Sequence, residues 1–434
     1  MSTIATSKDL SGEIINSFQI VDFPSAHENR KKAIDVLKKR GLPGNKHEEY
    51  RFTPITKSLE KKFTWKSKPT PASLKSVDRF LIPGLDAFVL VLVNGAYSKE
   101  LSDRQFPAGI TVLSLQDALQ NKHPIATQHF DKLMNSETDS FAALNAAFWQ
   151  DGVFIHVPEN TVVEKPFFIL SITDSNKETT ISHVRILGVI EKQSSVHIIE
   201  KFDTEGSNAV FHTLSEEFVV SEKANLEYCK IQNDSKQNQV TNTVIHQSTA
   251  SKVNTFTLTL AGELVRNNLN IIIDGEHCES HFNGLYLLNG NTLADNHTVV
   301  DHRKPNSFSN EMYKGIMDGN SKGVFNGKIF VRPHAQKTNA FQSNRNIIIS
   351  DSATINTKPQ LEIWADDVKC SHGCTSGQLD EEAMFYLRSR GIAEPTAKAM
   401  LLYAFAVDVL EPLQHKGLKS YLDNLIAERL HKNF

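Results

Sequence analysis

Between residues 151 and 370 the chain alternates short runs of apolar and polar residues that are rich in Val, Ile, Thr and Phe. This pattern is typical of β-strands. Three of the runs share one polar and aliphatic register, centred on Val196, Leu226 and Val253, which are 30 and 27 residues apart. An irregular repeat of this length indicates the coils of a solenoid. So long a stretch of strand without a helical pattern disfavours a doubly wound α/β fold and leaves a large sandwich, a propeller or a parallel β-helix, of which we favour the last.

Asparagines are frequent in the same region, and we expect them at the corners between strands. Asparagine tolerates a positive φ and bonds to its own backbone, which suits a tight corner. The asparagines concerned are Asn267, Asn268, Asn270, Asn283, Asn289 and Asn291.

The region before residue 151 has a mixed pattern, and its clearest element is a helix. Ser25, followed three residues later by Glu28, forms a capping box that predicts the first residue of this helix. Its apolar face is predicted to contain Ala33, Ile34 and Leu37, and Gly41 stands where a left-handed C-terminal cap belongs. A strand over Phe88–Val93 and a helical stretch over residues 141–149 complete the prediction for this region.

After residue 370 the pattern returns to helix. Residues 380–390 place Ala383, Met384 and Leu387 on one stripe, with acids in the first turn, arginines in the last and Gly391 behind them. A second helix over residues 395–410 is apolar nearly all round, and a third is predicted over residues 418–430. Because an apolar helix must be covered on every side, we expect it to contact the third helix, the β core or another protein.

Composition narrows the classes of function. The chain has 434 residues, 47 Lys and Arg against 50 Asp and Glu, and a net charge of −3, which argues against binding to nucleic acid or to anionic lipid. Its apolar runs, such as Phe88–Val93, are far too short to span a membrane, and its first residues do not show a secretory signal pattern. Four cysteines in so long a chain indicate free thiols in a reducing compartment, so we expect a cytoplasmic protein.

Candidate chemistry is concentrated in one short string, because nucleotide-binding loops, nucleophile elbows and zinc-protease helices do not occur in the sequence. Cys370, His372 and Cys374 lie within five residues and offer soft ligands to iron or zinc. A closed zinc site needs four ligands, so the residues alone favour packed cysteines and a capping histidine over a metal site.

A second group, His277, Cys278 and His281, is looser and is predicted to lie in a strand or turn. On a strand His277 and His281 would share one face while Cys278 points away, which argues against a three-ligand site. Cys229 follows an alternating run and is predicted to be part of the packed wall.

Four segments together resemble the SufB/SufD family of iron–sulfur cluster assembly proteins. They are GLPGNKHEEYRFTPI at 41–55, FAALNAAFWQDGVFIHVP at 141–158, KGVFNGKIFV at 322–331 and VKCSHGCTSGQLDEEAMFYLRSRGI at 368–392. The SufB branch is expected to carry a cysteine-rich N-terminal segment, whereas the first cysteine here is Cys229, so the resemblance favours the SufD branch.

The resemblance implies a fold and a set of partners. The fold is mainly β: a right-handed parallel β-helix at 151–370, between an N-terminal α/β region at 1–150 and a C-terminal helical domain at 371–434. The implied function is a noncatalytic scaffold that pairs with a SufB-like subunit, binds a SufC-like ATPase through its C-terminal helices and forms a homodimer when alone. The two scaffold subunits would share a nascent iron–sulfur cluster, reduced flavin would belong to the complex, and ATP would act only through SufC.

The resemblance also implies site residues. His372, in the S-H-G motif, and Cys370 are expected at the cluster site on the SufB interface, while Cys374 replaces the more usual alanine and has no inherited role. If Cys370 belongs to the last strand, it shares one face with His372, two residues on, and Cys374 is expected beyond the strand. Docking of the ATPase is expected to involve five residues of the C-terminal helices: Met384, Tyr386, Arg388, Arg390 and Phe405.

Two other functions remain open from the sequence. Parallel β-helices also serve polysaccharide lyases, and a fold alone does not select a function. A purely structural homodimer that assembles through the β-helix edges is the third possibility.

Overall fold

The computed structural model describes residues 10–18, 27–44, 46–65 and 74–434. The helices are α1 Leu10–Ser17, α2 His27–Arg40, α3 Ile55–Lys62, α4 Leu115–Gln120, α5 Pro124–His129, α6 Ser140–Phe148, α7 Glu381–Ser389, α8 Glu394–Val407 and α9 Lys416–Asn433. The strands before residue 250 are β1 Phe88–Val93, β2 Ala96–Tyr97, β3 Thr111–Ser114, β4 Asp151–Val157, β5 Phe167–Asp174, β6 Thr180–Ile190, β7 Ser195–Glu205, β8 Val210–Val220, β9 Asn225–Asn233 and β10 Gln237–Gln247. Those after it are β11 Lys252–Ala261, β12 Leu264–Ile273, β13 Glu279–Leu288, β14 Leu293–His302, β15 Phe308–Met317, β16 Lys322–Val331, β17 Asn339–Ile348, β18 Thr354–Ile363 and β19 Lys369–Gly377. Within these described residues, no helix is long and apolar enough to cross a membrane.

Strands β4 to β19 alternate between two parallel sheets. The odd-numbered strands from β5 to β19 lie side by side in a ten-stranded sheet with β1 and β2, and the even-numbered strands lie in a nine-stranded sheet with β3. Each turn of the chain therefore adds one strand to each sheet, which is the architecture of a parallel β-helix. The predicted repeat is confirmed residue by residue, since Val196 pairs with Leu226 and Leu226 pairs with Val253.

The corners differ from the prediction. A residue with positive φ recurs once per coil, and most of these residues are not asparagine: Gln193, Lys223, Ala250, His277, Asn306 and Lys337. Asn267, Asn268 and Asn270 lie in β12 and Asn283 lies in β13, so the expectation that they form corners was wrong. Asn267 instead faces the interior, where its Nδ2 donates to Asn296 Oδ1 at 3.0 Å and its Oδ1 accepts from Gln232 Nε2 at 2.9 Å. Asn267 is thus satisfied by polar side chains inside the β-helix, as a buried amide requires.

The two ends of the β-helix are finished differently. At the N-terminal end, the short strands β2 and β3 pair antiparallel to β1 and β4 and close both sheets. At the C-terminal end, in the part of the chain that the structure describes, β18 pairs only with β16 and β19 only with β17. The strand region continues past residue 370 to Gly377, so the S-H-G motif belongs to the last strand of the β-helix and not to the helical region.

The C-terminal helices α8 and α9 cover the outer face of the ten-stranded sheet. Apolar side chains of both helices pack in one cluster with outward-facing residues of the sheet, among them Leu402, Leu422 and Ile426 against Ile231, Phe256 and Leu285. The predicted second helix ends earlier than expected, at Val407, and is followed by a 3-10 turn over Asp408–Leu410. The β core therefore supplies the cover that the apolar second helix requires. Conversely, removing the helices by truncation after Ser376 would expose this face of the sheet to water.

Helix α7 stands apart from this packing. Asp380 caps it as the end signals predict, its side chain accepting the N–H of Ala383 at 3.0 Å, and Gly391 behind it has a φ of 85°. None of its nine residues is buried, and Phe385 and Tyr386 are 74% and 58% exposed. The predicted stripe of Ala383, Met384 and Leu387 is half-buried, whereas Phe385 and Tyr386 beside it face solvent.

On the opposite side, the N-terminal helices pack on the nine-stranded sheet. Ala33, Ile34 and Leu37 of α2 are buried as predicted, and α2 ends at Gly41, whose φ is 64°. The predicted capping residue Ser25 lies outside the described residues. Residues 141–149, predicted as helical, form α6 with Trp149 as its C-terminal cap.

Candidate functional site at the open end of the β-helix

Cys370, His372 and Cys374, the three residues of the S-H-G string that can bind metal, lie on one face of strand β19. In the parallel register with β17, Cys370 pairs with Ala340, His372 with Gln342 and Cys374 with Asn344. Side chains two residues apart on a strand share one face. This face continues the interior of the β-helix, because Cys370 packs against the main apolar core and Gln342 is buried there. The structure therefore places Cys370 and His372 on a common face as expected, and it adds Cys374, which the sequence had placed beyond the strand.

Exposure and bonding separate the three side chains. Cys370 is half-buried. Burial raises the pKa of its thiol, and a hydrogen bond with the Ala340 backbone lowers this pKa by a smaller amount. Cys374 is exposed, and its Sγ lies 2.8 Å from Thr357 Oγ1 on β18. His372 is exposed at the open end. Of the three, only the imidazole combines full access to solvent with a neutral lone pair suited to iron or zinc.

These three residues of β19 do not form a complete metal site by themselves. Within the ranges that the structure describes, no three His, Cys, Asp or Glu side chains meet in a group that could hold a metal ion. A ligand set that includes His372 would need donors from a second protein at the open edge.

The other candidate residues are explained by packing. Cys229 is buried against the C-terminal helices, and burial raises the pKa of its thiol well above the usual value. Cys278 is also buried, and its Sγ donates to the carbonyl of Ser248 at 3.2 Å. His277 occupies a corner with a φ of 58°, so the prediction that it shares a strand face with His281 was wrong.

The predicted docking residues lie on two different surfaces. Met384 is half-exposed, and Tyr386, Arg388 and Arg390 lie exposed on α7 or directly behind it. Phe405 instead faces the β-helix, where Lys314 Nζ lies 4.7 Å from the centre of its ring and donates to its carbonyl at 2.8 Å. Phe405 is thus held within the fold, and its part in docking stays a prediction.

Of several exposed apolar residues near the open end and on the C-terminal helices, sequence reasoning had named only Tyr386. Seven large apolar side chains are exposed in the described ranges, and five of them lie either on the last coil or on the α7–α8 pair: Ile363, Trp364, Phe385, Tyr386 and Met400. Trp364 stacks on Phe330 with ring centres 6.0 Å apart, beside the open edge of β18. Exposed apolar patches of this kind commonly mark protein contacts.

Two sequence-family models match the chain along most of its length. One, described as "SUF system FeS cluster assembly, SufBD core domain", covers residues 171–405, and the other, "SufBD protein N-terminal region", covers residues 14–169.

Curated relatives agree with these models. The chain is 32% identical to the iron–sulfur cluster assembly protein SufD of Escherichia coli, over 92% of this chain and 91% of the relative. It is 31% identical to an iron–sulfur cluster assembly SufBD family protein of Synechocystis, over 92% of this chain and 90% of the relative. SufD of Bacillus subtilis is 27% identical over 77% of this chain and 76% of the relative.

Proposed function

Since this chain belongs to the SufBD family of iron–sulfur cluster assembly proteins, we propose that it is a SufD-like, noncatalytic scaffold subunit. In this proposal it pairs with a SufB-like subunit, binds a SufC-like ATPase and helps to hold a nascent cluster, in the cytoplasm. The observation that carries the proposal is the uncapped last coil, which presents His372 and Cys370 on the interior face beside two unpaired strand edges.

The open edge fits pairing with another β-helix. Lys369 N donates to the Thr338 carbonyl at 2.9 Å, so in β19 the odd-numbered backbone groups face β17. The N–H and C=O groups of Cys370, His372, Cys374 and Ser376 therefore face outward. A row of unpaired backbone groups is a template for strand addition by a partner.

Pairing at this edge would also bring in further metal ligands from a second protein. The cluster is the cargo of the complex, and His372 would supply one donor while the SufB-like subunit supplies others across the interface. Reduced flavin in the complex, and ATP through the ATPase subunit, complete the proposal, although no residue is assigned to the flavin.

Helix α7 is the proposed contact for the ATPase. It exposes Phe385 and Tyr386, ends in Arg388 and Arg390, and leaves no residue buried against the fold. Aromatic and arginine side chains are the residue types that carry most binding energy in protein interfaces.

The carbohydrate-enzyme alternative receives less support. A groove of about 890 Å³ lies between the N-terminal region and the outer face of the nine-stranded sheet. Two of the five carboxylates that line it are held by arginine: Asp301 by Arg332 Nε at 2.7 Å and Arg303 Nε at 2.9 Å, and Asp131 by Arg185 Nη1 at 2.8 Å. A general base in a lyase groove needs a carboxylate that is free to reach the substrate.

Co-expression with SufB-like and SufC-like proteins from the same source tests the proposal. Affinity purification of the tagged chain is expected to recover both partners. All three proteins should then elute as one complex in size-exclusion chromatography. Recovery of the chain as a homodimer that excludes both partners would contradict the scaffold proposal.

Replacing Phe385 with Ala is expected to weaken the ATPase interaction about tenfold or more while leaving stability unchanged, because this ring makes an interface contact but no core contact. The affinity for the SufC-like protein is measured by calorimetry, and the melting temperature is measured alongside. Phe52→Ala is the matched control, since Phe52 is also an exposed phenylalanine but lies in the N-terminal region. An unchanged affinity for Phe385→Ala would remove α7 from the docking surface.

A further inference from the structure

Polar side chains line up behind His372 in the interior of the β-helix. In the parallel register, His372 pairs with Gln342, Gln342 with Glu311 and Glu311 with Phe282. Neighbouring strands lie about 4.8 Å apart, so these side chains form one stacked row. The row begins on the buried ring of Phe282, passes through the buried Glu311 and Gln342, and reaches solvent at His372.

The hydrogen bonds along this row leave two acceptors unused. Gln342 Nε2 donates to Glu311 Oε2 at 2.7 Å. Gln342 Oε1 and Glu311 Oε1 are buried and have no hydrogen-bond partner. Leaving a buried polar atom unpaired is costly, so the unpaired oxygen of Gln342, beside a functional edge, calls for an explanation.

The amide of Gln342 has little freedom to turn. A Cβ added at Gly327, on the opposite wall, would lie 2.3 Å from Gln342 Nε2, so the glycine allows this amide to approach closely. An ionised Glu311 can only accept, so in that form the bond fixes which end of the amide donates; burial raises the pKa of Glu311 to about 7. The remaining oxygen is therefore held in the row between Glu311 and the last coil.

The amide in the neighbouring row is bonded differently. Asn344, which pairs with Cys374, donates from Nδ2 to Tyr286 Oη at 3.0 Å and to the Tyr313 carbonyl at 3.2 Å, and its Oδ1 accepts from Asn346 at 2.7 Å. Its amide is thus satisfied within the coils already formed. Of these two amides, only that of Gln342 is left with a free acceptor.

We infer that Gln342, oriented by Glu311, is a positioning residue for His372: its Oε1, which is unpaired in the structure, accepts the ring N–H once the exposed imidazole turns toward it, and this bond holds one tautomer. The opposite ring nitrogen then presents its lone pair at the open end, where an incoming metal can bind. Histidines that ligate metals commonly donate their other N–H to such an acceptor, and loss of the acceptor typically costs 10–100-fold in metal affinity. This inference rests on the proposed function of His372, although the hydrogen bond itself does not.

The tautomer of His372 can be measured in the full-length chain without any metal. Two-bond ¹H–¹⁵N correlation spectra of protein labelled in histidine report the tautomer, and His372→Ala assigns the signals. The wild-type imidazole is expected in one tautomer, and Gln342→Leu is expected to convert it to a mixture. Glu311→Leu, which frees the amide, should give the same mixture, whereas Glu311→Gln, which keeps an acceptor for Gln342 Nε2, should retain the single tautomer.

Gln239→Leu is the matched control, because Gln239 is an equally buried glutamine on β10, several coils from the open end. It should leave the His372 signals unchanged. If the tautomer ratio of His372 in Gln342→Leu equals that of the wild type, the positioning role is wrong.

Metal binding in the assembled complex gives the second readout. Zn²⁺ affinity measured by competition with a chelator should fall about tenfold or more for Gln342→Leu and should be unchanged for Gln239→Leu. A tautomer change without any loss of metal binding in His372→Ala would contradict the proposed function and leave the positioning intact. A loss of binding in His372→Ala with no tautomer change in Gln342→Leu would contradict only the positioning.

Discussion

Replacing Lys230 with Ala is expected to lower the free energy of unfolding by about 3–5 kcal/mol, because it leaves a carboxylate unpaired inside the β-helix. Lys230 Nζ lies 2.8 Å from Glu216 Oε2 and 3.8 Å from Glu200 Oε2, and all three side chains are enclosed. The Tyr228 hydroxyl donates to Glu200 Oε2 at 2.6 Å. This cluster is the main concentration of charge that we find in the described interior.

The pKa values of the two carboxyl groups are shifted in opposite directions. Burial and the neighbouring Glu216 raise the pKa of Glu200 well above its usual value, which favours its neutral form. Burial also acts to raise the pKa of Glu216, but Lys230 and hydrogen bonds outweigh it and lower this pKa, so Glu216 is ionised. Without Lys230, Glu216 must either stay charged in an apolar interior or take up a proton, and both are costly.

Urea unfolding followed by circular dichroism measures this effect. Lys252→Ala is the control, since Lys252 forms an exposed ion pair with Glu279 at 2.8 Å, and it should cost less than about 1 kcal/mol. The double variant Lys230→Met with Glu216→Gln removes both charges and should regain much of the lost stability. A loss below about 1 kcal/mol for Lys230→Ala would show that the cluster is not the buried ion pair described above.

Replacing Ser376 with Pro is expected to reduce the affinity for the SufB-like subunit at least tenfold while the chain stays folded. The N–H of Ser376 faces the open edge, so proline removes a donor that only a partner strand would use, and its ring obstructs the approach of that strand. Affinity is measured by titrating a labelled SufB-like protein with the purified chain.

Thr375→Pro is the contrasting variant. The backbone N–H of Thr375 faces β17, where Thr375 pairs with Arg345, so proline there removes a hydrogen bond of the sheet and disturbs the fold itself. We expect Thr375→Pro to lower the melting temperature and Ser376→Pro to leave it nearly unchanged. Full affinity for the partner in Ser376→Pro would show that pairing does not use the β19 edge.

The coils of the β-helix could be predicted because their apolar residues repeat. Val196, Leu226 and Val253 revealed both the coil length and the register that the structure shows. Helix ends were equally accessible, since Asp380 and Gly391 act through local backbone geometry that neighbouring residues determine.

The polar interior could not be predicted in the same way. Strand β9 is buried on both faces over most of its length, so alternation does not tell which of its residues point inward. A lysine in such a strand would ordinarily be assigned to solvent, and Lys230 is paired only because Glu216 lies on a strand of the other sheet.

The site was predictable in part. The spacing of Cys370 and His372 placed them on one face, but the end of β19 was not visible in the sequence, so Cys374 was assigned beyond the strand. Gln342 and Glu311 were missed because they are distant along the chain. The coil length was the available signal, since one coil back from His372 is Gln342 and a second is Glu311.

The most direct test of the account is cluster formation in the assembled complex that carries His372→Ala. The complex with SufB-like and SufC-like subunits is reconstituted anaerobically with iron and sulfide, and iron and acid-labile sulfide per complex are measured. Cys374→Ala is the matched control, because Cys374 lies on the same face of β19 but its Sγ forms a hydrogen bond with the Thr357 hydroxyl. We predict that His372→Ala assembles normally but loses its cluster, that adding Cys370→Ala does not restore it, and that Cys374→Ala loads fully. Full cluster loading in both His372→Ala and the His372→Ala/Cys370→Ala double variant would contradict the account.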